Sequence, residues 1–260
     1  MMKAILVIVL LLAVAIFLQS KFSSKSSSEQ QEVVKTETLL LPWPGVLKEG
    51  EHLESVERFI TRNYYIILDG SGSMGESRCS GSSTKIEVAK EAFHKFIGSI
   101  PNNANVGLAV FDREGLFERV ALATENRTLL NEQVMAVTVG EGTPLREAIL
   151  LGFQKLSAQA ARQQGYGEYH LLLVTDGEAN EGQDPTAVVD AILQGSPVVI
   201  HTIGFCIDEN HSLNQKGRIL YQSADSPEEL QQGLQEVLAE AVEFQSQLQV
   251  DSFKQSSGNQ

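Results

Sequence analysis

The sequence predicts an α/β domain of the doubly wound kind: a mostly parallel six-stranded sheet in the order 3-2-1-4-5-6, with strand 3 antiparallel and helices on both faces. Three observations carry that expectation. From Asn63 onward, short apolar runs alternate with helical patterns, which is how crossover connections in a parallel sheet read. The run Leu171-Leu172-Leu173-Val174 is apolar at every position, as a strand covered on both faces must be. Two apolar runs also end on acids followed by glycine, Asp69-Gly70 and Asp176-Gly177, and the carboxyl ends of strands are where this fold class binds ligands.

Each element has its own signal. Strand one is Tyr64-Tyr65-Ile66-Ile67-Leu68. Residues 84–100 place Ile86, Ala89, Phe93, Phe96, Ile97 and Ile100 on one helical face, and Pro101-Asn102-Asn103 stops the helix. Residues 106–111 and 116–122 read as strands two and three. The four-residue turn Asp112-Arg113-Glu114-Gly115 between them forces an antiparallel pair, because a parallel crossover needs a dozen residues or more. A helix follows over residues 128–137. Pro144 is expected at the first position of the next helix, marked by Leu145, Ala148, Ile149, Gly152 and Leu156. Strand four is the 171–174 run. Asp184-Pro185 should cap and open a helix through Leu193, with strand five at 198–203 and strand six at 218–222. Ser226-Pro227-Glu228-Glu229 spells a capping box before a helix marked by Leu230, Leu234, Val237, Leu238 and Ala241.

Composition narrows the function classes. The chain has 260 residues, 20 basic against 33 acidic side chains and a net charge of -13, which argues against nucleic acid, since phosphate binding needs clustered Lys and Arg. Residues 1–19 hold an uncharged apolar run, 4–18, preceded by Lys3. At about 15 residues it is short for a spanning helix of about 20 and matches the upper limit of a signal-peptide core. Ala13-Val14-Ala15, the candidate cleavage triplet, lies inside the run rather than after it. An uncleaved single-pass membrane anchor is therefore expected, with a cleaved signal peptide as the alternative; either places the domain outside the cytoplasm. Residues 20–36 read as a flexible polar linker. An N-terminal flank covers 37–62, with Trp43 packed on the domain or exposed for recognition. The domain itself covers 63–244, and 245–260 form a polar tail.

The chemistry gathers in three segments. Asp69-Gly70-Ser71-Gly72-Ser73 crowds hard oxygen donors into one loop, which suits magnesium or calcium rather than zinc. Gly140-Glu141-Gly142-Thr143-Pro144 and Thr175-Asp176-Gly177 follow it in that order. Together they resemble the von Willebrand factor type A family over roughly residues 63–244. In that family these segments form a metal-ion-dependent adhesion site, so the resemblance implies Asp69, Ser71, Ser73, Thr143 and Asp176 as metal-site residues. It implies magnesium as the ion, with calcium or manganese as alternatives, and a protein partner that supplies a Glu or Asp to the metal. It also implies a non-enzymatic domain; an accessory module of a larger assembly is the alternative.

Other readings compete. Gly70, Gly72 and Gly75 after a strand also fit the dinucleotide fingerprint of an oxidoreductase. That fingerprint needs a helix to begin at the loop, whereas residues 76–83 intervene, and Asp69 would repel a pyrophosphate. Glu76, Asp112 and Glu178 lie near the expected rim as candidates for a second cation. A zinc site from Cys79, Cys206 and His211 lacks the usual paired spacing. Cys79 and Cys206 sit on the same face, separated laterally by strand four, so a disulfide and two independent thiols both stay open. His201 is expected as a hydrogen-bonded core residue. Neither metal motif contains a lysine, so Asp69 and Asp176 are expected to repel each other when no cation is bound.

Overall fold

The computed structural model describes residues 41–140, 142–207, 211–215 and 217–239. The expected anchor or signal peptide, the linker and the polar tail lie outside these residues. Among the described residues no helix is long and apolar enough to cross a membrane.

The sheet has the expected order, β3-β2-β1-β4-β5-β6. Its strands are β1 (Arg62–Asp69), β2 (Asn105–Asp112), β3 (Gly115–Ala123), β4 (Glu168–Thr175), β5 (Val199–Phe205) and β6 (Leu220–Ala224). Only the β2–β3 pair is antiparallel, joined by the tight turn at Arg113-Glu114. The helices are α1 (Lys85–Ser99), α2 (Arg127–Ala136), α3 (Leu145–Arg162), α4 (Thr186–Gly195) and α5 (residues 227–239).

Alternation along β1 divides the core into two layers. Tyr64, Ile66 and Leu68 face α1, α2 and α5, where Phe93, Phe96, Leu130, Leu230 and Leu234 are buried. Tyr65 and Ile67 face α3 and α4, against Leu145, Phe153, Leu156, Val189 and Ile192. Fully burying each such side chain is worth about 1.5–3 kcal/mol, so the central strands are anchored from both sides. The flank packs as well: Trp43 stacks edge-on with Tyr169 at 4.8 Å and lies 5.8 Å from Phe153. Backbone bonds from Gly45 to Ser157 and from Glu54 to Arg162 fix this segment along α3.

Some boundaries and caps differ from the sequence expectation. β6 begins at Leu220 rather than 218, because parallel pairing with β5 aligns His201 with Leu220 and Phe205 with Ala224. Pro144 is the N-cap of α3 rather than its first residue. α4 starts at Thr186, whose amide donates to Asp184 Oδ1 at 2.9 Å, so the aspartate caps from one residue further out. The box before α5 is offset. Ser226 Oγ accepts from Glu229 N at 3.2 Å, while the Glu229 carboxylate reaches Asp225 N at 2.7 Å instead of the serine amide. A complete capping box, Thr84 with Glu87, instead opens α1.

Candidate metal centre

β1 and β4 are hydrogen-bonded neighbours with Leu68 beside Val174, so Asp69 ends β1 level with Thr175 and Asp176 follows one residue later, both at the carboxyl edge of the sheet. After Asp69 the chain turns through Ser71 into a short 3-10 segment, Gly72–Gly75, that carries Ser73. Thr143 arrives from the other side on the loop before α3. A Cβ built on Gly177 would lie 3.5 Å from both Ser73 Oγ and Thr143 Oγ1, so the two hydroxyls face one point beside Gly177. Four of the five side chains belong to buried residues, and Ser73 is half-buried at the rim.

The hydrogen bonds show how each donor is aimed. Asp69 Oδ1 accepts from Ser71 N at 2.7 Å, and Oδ2 accepts from Thr175 Oγ1 at 2.5 Å, which holds this carboxylate behind the loop. Ser71 Oγ and Ser73 Oγ are 3.1 Å apart, and Ser73 Oγ donates to Asp176 Oδ1 at 2.7 Å. Asn180 clasps the Thr143 backbone twice: its Oδ1 accepts from Thr143 N, and its backbone N donates to Thr143 O.

Two glycines make the approach of the Thr143 loop possible. Gly140 N donates to Gly70 O at 2.8 Å, and a Cβ on Gly140 would sit 2.2 Å from Arg113 N. Gly142 has φ +83, a backbone conformation that side chains disfavour. His211, from the segment before β6, supports the opposite loop. Its Nε2 donates to Gly177 O at 2.8 Å, and its Nδ1 accepts from Leu213 N at 3.0 Å.

The donor chemistry fits a hard dication. Three neutral hydroxyls stand in front of two carboxylates, and among the described residues no cluster of three or more His, Cys, Asp or Glu offers a competing site. Burial first, and then the charge of Asp176, push Asp69 up to about 6 from an ordinary 3.8. A cation at this point would relieve both pressures.

Several sequence expectations need correction. A lysine does reach the site: Lys85 Nζ donates to Asp176 Oδ2 at 2.7 Å, with 3% of the lysine side chain exposed. Neither motif contains it because it comes from the first turn of α1. The zinc triad is ruled out because Cys79 and Cys206 form a disulfide and His211 is committed to Gly177 and Leu213. The loop after the 3-10 segment leans across β4, bringing the two cysteine Cα atoms to 5.8 Å. Arg78 Nη2 seals the crossing with a 2.6 Å bond to Cys206 O. Asp112 is no second cation ligand here, because Arg119, Glu114 N and Thr138 N engage both its oxygens. Glu76 and Glu178 are exposed. The glycines at 70, 72 and 75 lead only into the four-residue 3-10 segment, and the first α-helix starts at Lys85, too late for a dinucleotide fingerprint. His201 is buried, with its Nε2 3.1 Å from His170 Nδ1.

Comparison with known proteins agrees with this architecture. The von Willebrand factor type A domain model matches residues 63–245. The Bacillus subtilis protein YwmD is 26% identical over 199 residues, covering 68% of this chain and 85% of its own length. Two solved structures share the fold. A pilus adhesin, SpaC from Lactobacillus rhamnosus GG, superposes with a TM-score of 0.56 at 16% identity, over 74% of this chain and 31% of the adhesin. An aerotolerance-related membrane protein from Bacteroides fragilis superposes with a TM-score of 0.51 at 19% identity, over 67% of this chain and 97% of that protein. A family match that spans nearly the whole described domain, on a sheet with this strand order, makes the chain a member of the von Willebrand factor type A domain family.

Proposed function

We propose that this chain is a divalent-cation-dependent protein-binding domain without catalytic activity, tethered to a membrane by its N-terminal segment and working outside the cytoplasm. One observation carries the reading: the hydroxyls of Ser71, Ser73 and Thr143 are gathered in front of the carboxylates of Asp69 and Asp176 at the β1–β4 edge. A bound magnesium would supply a positive centre demanding six oxygens at about 2.0–2.1 Å, more than this chain's hydroxyls provide. The remaining work belongs to the chain. The hydroxyls offer neutral oxygens, and the two carboxylates contribute charge from behind. A Glu or Asp of the partner completes the shell through a charge-assisted contact stronger than a surface ion pair, which is worth about 1 kcal/mol or less. Calcium or manganese would use the same oxygens.

The placement outside the cytoplasm rests on the apolar run at residues 4–18 and on the Cys79–Cys206 disulfide, a bond suited to an oxidising compartment. The likeness in fold to a pilus adhesin and to a membrane protein supports it. Affinity capture from native membranes with the full-length chain tests the function. Capture should need magnesium, and Ser71→Ala, Thr143→Ala or chelator should each abolish it while the circular dichroism spectrum is kept. Full-strength capture by folded Ser71→Ala protein in chelator would establish a partner that docks elsewhere.

A further inference from the structure

Lys85 sits where local rules argue against it. It is the first residue of α1, at the positive end of the helix dipole, where acids rather than ammonium groups are favoured. The residue is 2% exposed, so its charge has left water for a position that gives nothing back locally. What it finds there is Asp176 Oδ2 at 2.7 Å; the other nearby acid, Glu76, is 3.7 Å away with a side chain 66% exposed. The two oxygens of Asp176 are thereby divided. Oδ1 accepts from Ser73 Oγ, and Oδ2 accepts from Lys85.

We propose that Lys85 is the resident counter-cation of the metal centre: it keeps Asp176 aimed at the serine hydroxyls and cancels one of the two carboxylate charges that a divalent cation meets. This rests on the cation reading above. Three consequences follow from the charge arithmetic. The domain tolerates loss of the metal, because one carboxylate is neutralised at all times. The metal binds more weakly than two uncompensated carboxylates would hold it. A weakly neutralised metal also keeps more of its pull for a carboxylate from outside, which is what a cation-bridged adhesion site needs. Lys85 is a positioning and charge-setting residue; it does not contact the ion, since its ammonium has no lone pair to offer and is engaged by Oδ2, the oxygen of Asp176 that Ser73 leaves open.

The test uses the full-length chain and magnesium chloride alone. Calorimetric titration should show Lys85→Met binding magnesium on the order of tenfold more tightly than wild type, since removing a unit charge a few ångströms from a dication changes its energy by more than thermal scale. In chelator the same variant should melt below wild type, and adding Asp176→Asn should recover the loss by removing the stranded charge. If Lys85→Met unfolds in chelator, refolding on addition of magnesium or with Asp176→Asn supports the proposal equally. Magnesium affinity that is unchanged or weaker in folded Lys85→Met would overturn it. So would a chelator melt equal to wild type, because a counter-cation cannot be removed silently. If neither protein takes up magnesium, the cation reading fails and takes the affinity-setting role with it. The chelator melts would then still decide whether Lys85 neutralises Asp176.

Discussion

Replacing Cys79 and Cys206 by serine should destabilise the domain by roughly 2–5 kcal/mol. The cross-link closes a loop with a sequence separation of 127 residues. Chain-entropy arguments give about 4.7 kcal/mol for a loop of about 100 residues, which is an upper figure because denatured chains keep some structure. A second effect works the other way. Both cysteines have φ 61, in the left-handed region, where a side chain costs about 1–2 kcal/mol, and cutting the bond lets the backbone relax. The Cα separation of 5.8 Å lies in the usual range for a disulfide. For a domain of this size the loss corresponds to a melting temperature lower by roughly 5–15 °C. Glycine at both positions should lose less than serine, since it accepts positive φ without penalty. Scanning calorimetry on the purified chain reads all three proteins. A double-serine variant melting with wild type, or two free thiols in non-reduced protein by mass measurement, would show that the cross-link does not hold the domain in this way.

Three further outcomes follow from particular contacts. Gly140→Ala forces a Cβ to within 2.2 Å of Arg113 N, so it should destabilise by about 1–3 kcal/mol and weaken magnesium binding, whereas Gly98→Ala, with nothing within 4 Å on an exposed helix face, should be neutral or stabilising in the same melts. Burial and Asp176 raise Asp69 from 3.8 to about 6 in the folded chain, so its contribution to stability is present at low pH and lost as pH rises through 6. In chelator, wild type should therefore gain on Asp69→Asn as pH falls from 7 to 5, and a constant difference between their melts would contradict this. His201 has the opposite sign. Burial, and then His170, lower it to about 3 from 6.5, so stability is lost as pH falls below 6.5, and His201→Asn should melt with a shallower acid limb than wild type.

The fold was legible in the sequence where the signal was local. The unbroken apolar runs of β1 and β4, the length of the β2–β3 turn and the acids ending two strands are all properties of short segments, and they specify strand direction and the edge that carries the candidate site. Family motifs then named five residues that the structure brings together around Ser73 and Gly177. Lys85 escaped because its contact depends on the start of α1 lying against Asp176, 91 residues away in sequence. In sequence it is one more charged residue beside an apolar helix face. The clasp of Asn180 on Thr143 and the support of Gly177 by His211 were hidden for the same reason, since each joins segments more than 30 residues apart. The disulfide stayed open because strand spacing alone puts the cysteines out of reach. The lean of the loop, fixed by Arg78 on Cys206 O, decides it. The start of β6 was displaced because 218–224 has no sharp apolar boundary and takes its register from β5.

Locating the ion itself decides whether the three hydroxyls are metal ligands. Crystals of the full-length chain grown with manganese, which scatters anomalously and uses the same oxygen donors as magnesium, should show one strong anomalous peak about 2.1–2.2 Å from Ser71 Oγ and Ser73 Oγ, within reach of Thr143 Oγ1. The peak should vanish in Ser71→Ala crystals grown the same way. Manganese found only on exposed acids such as Glu76 or Glu178, with none at the serine hydroxyls, would contradict a cation-dependent site at the β1–β4 edge.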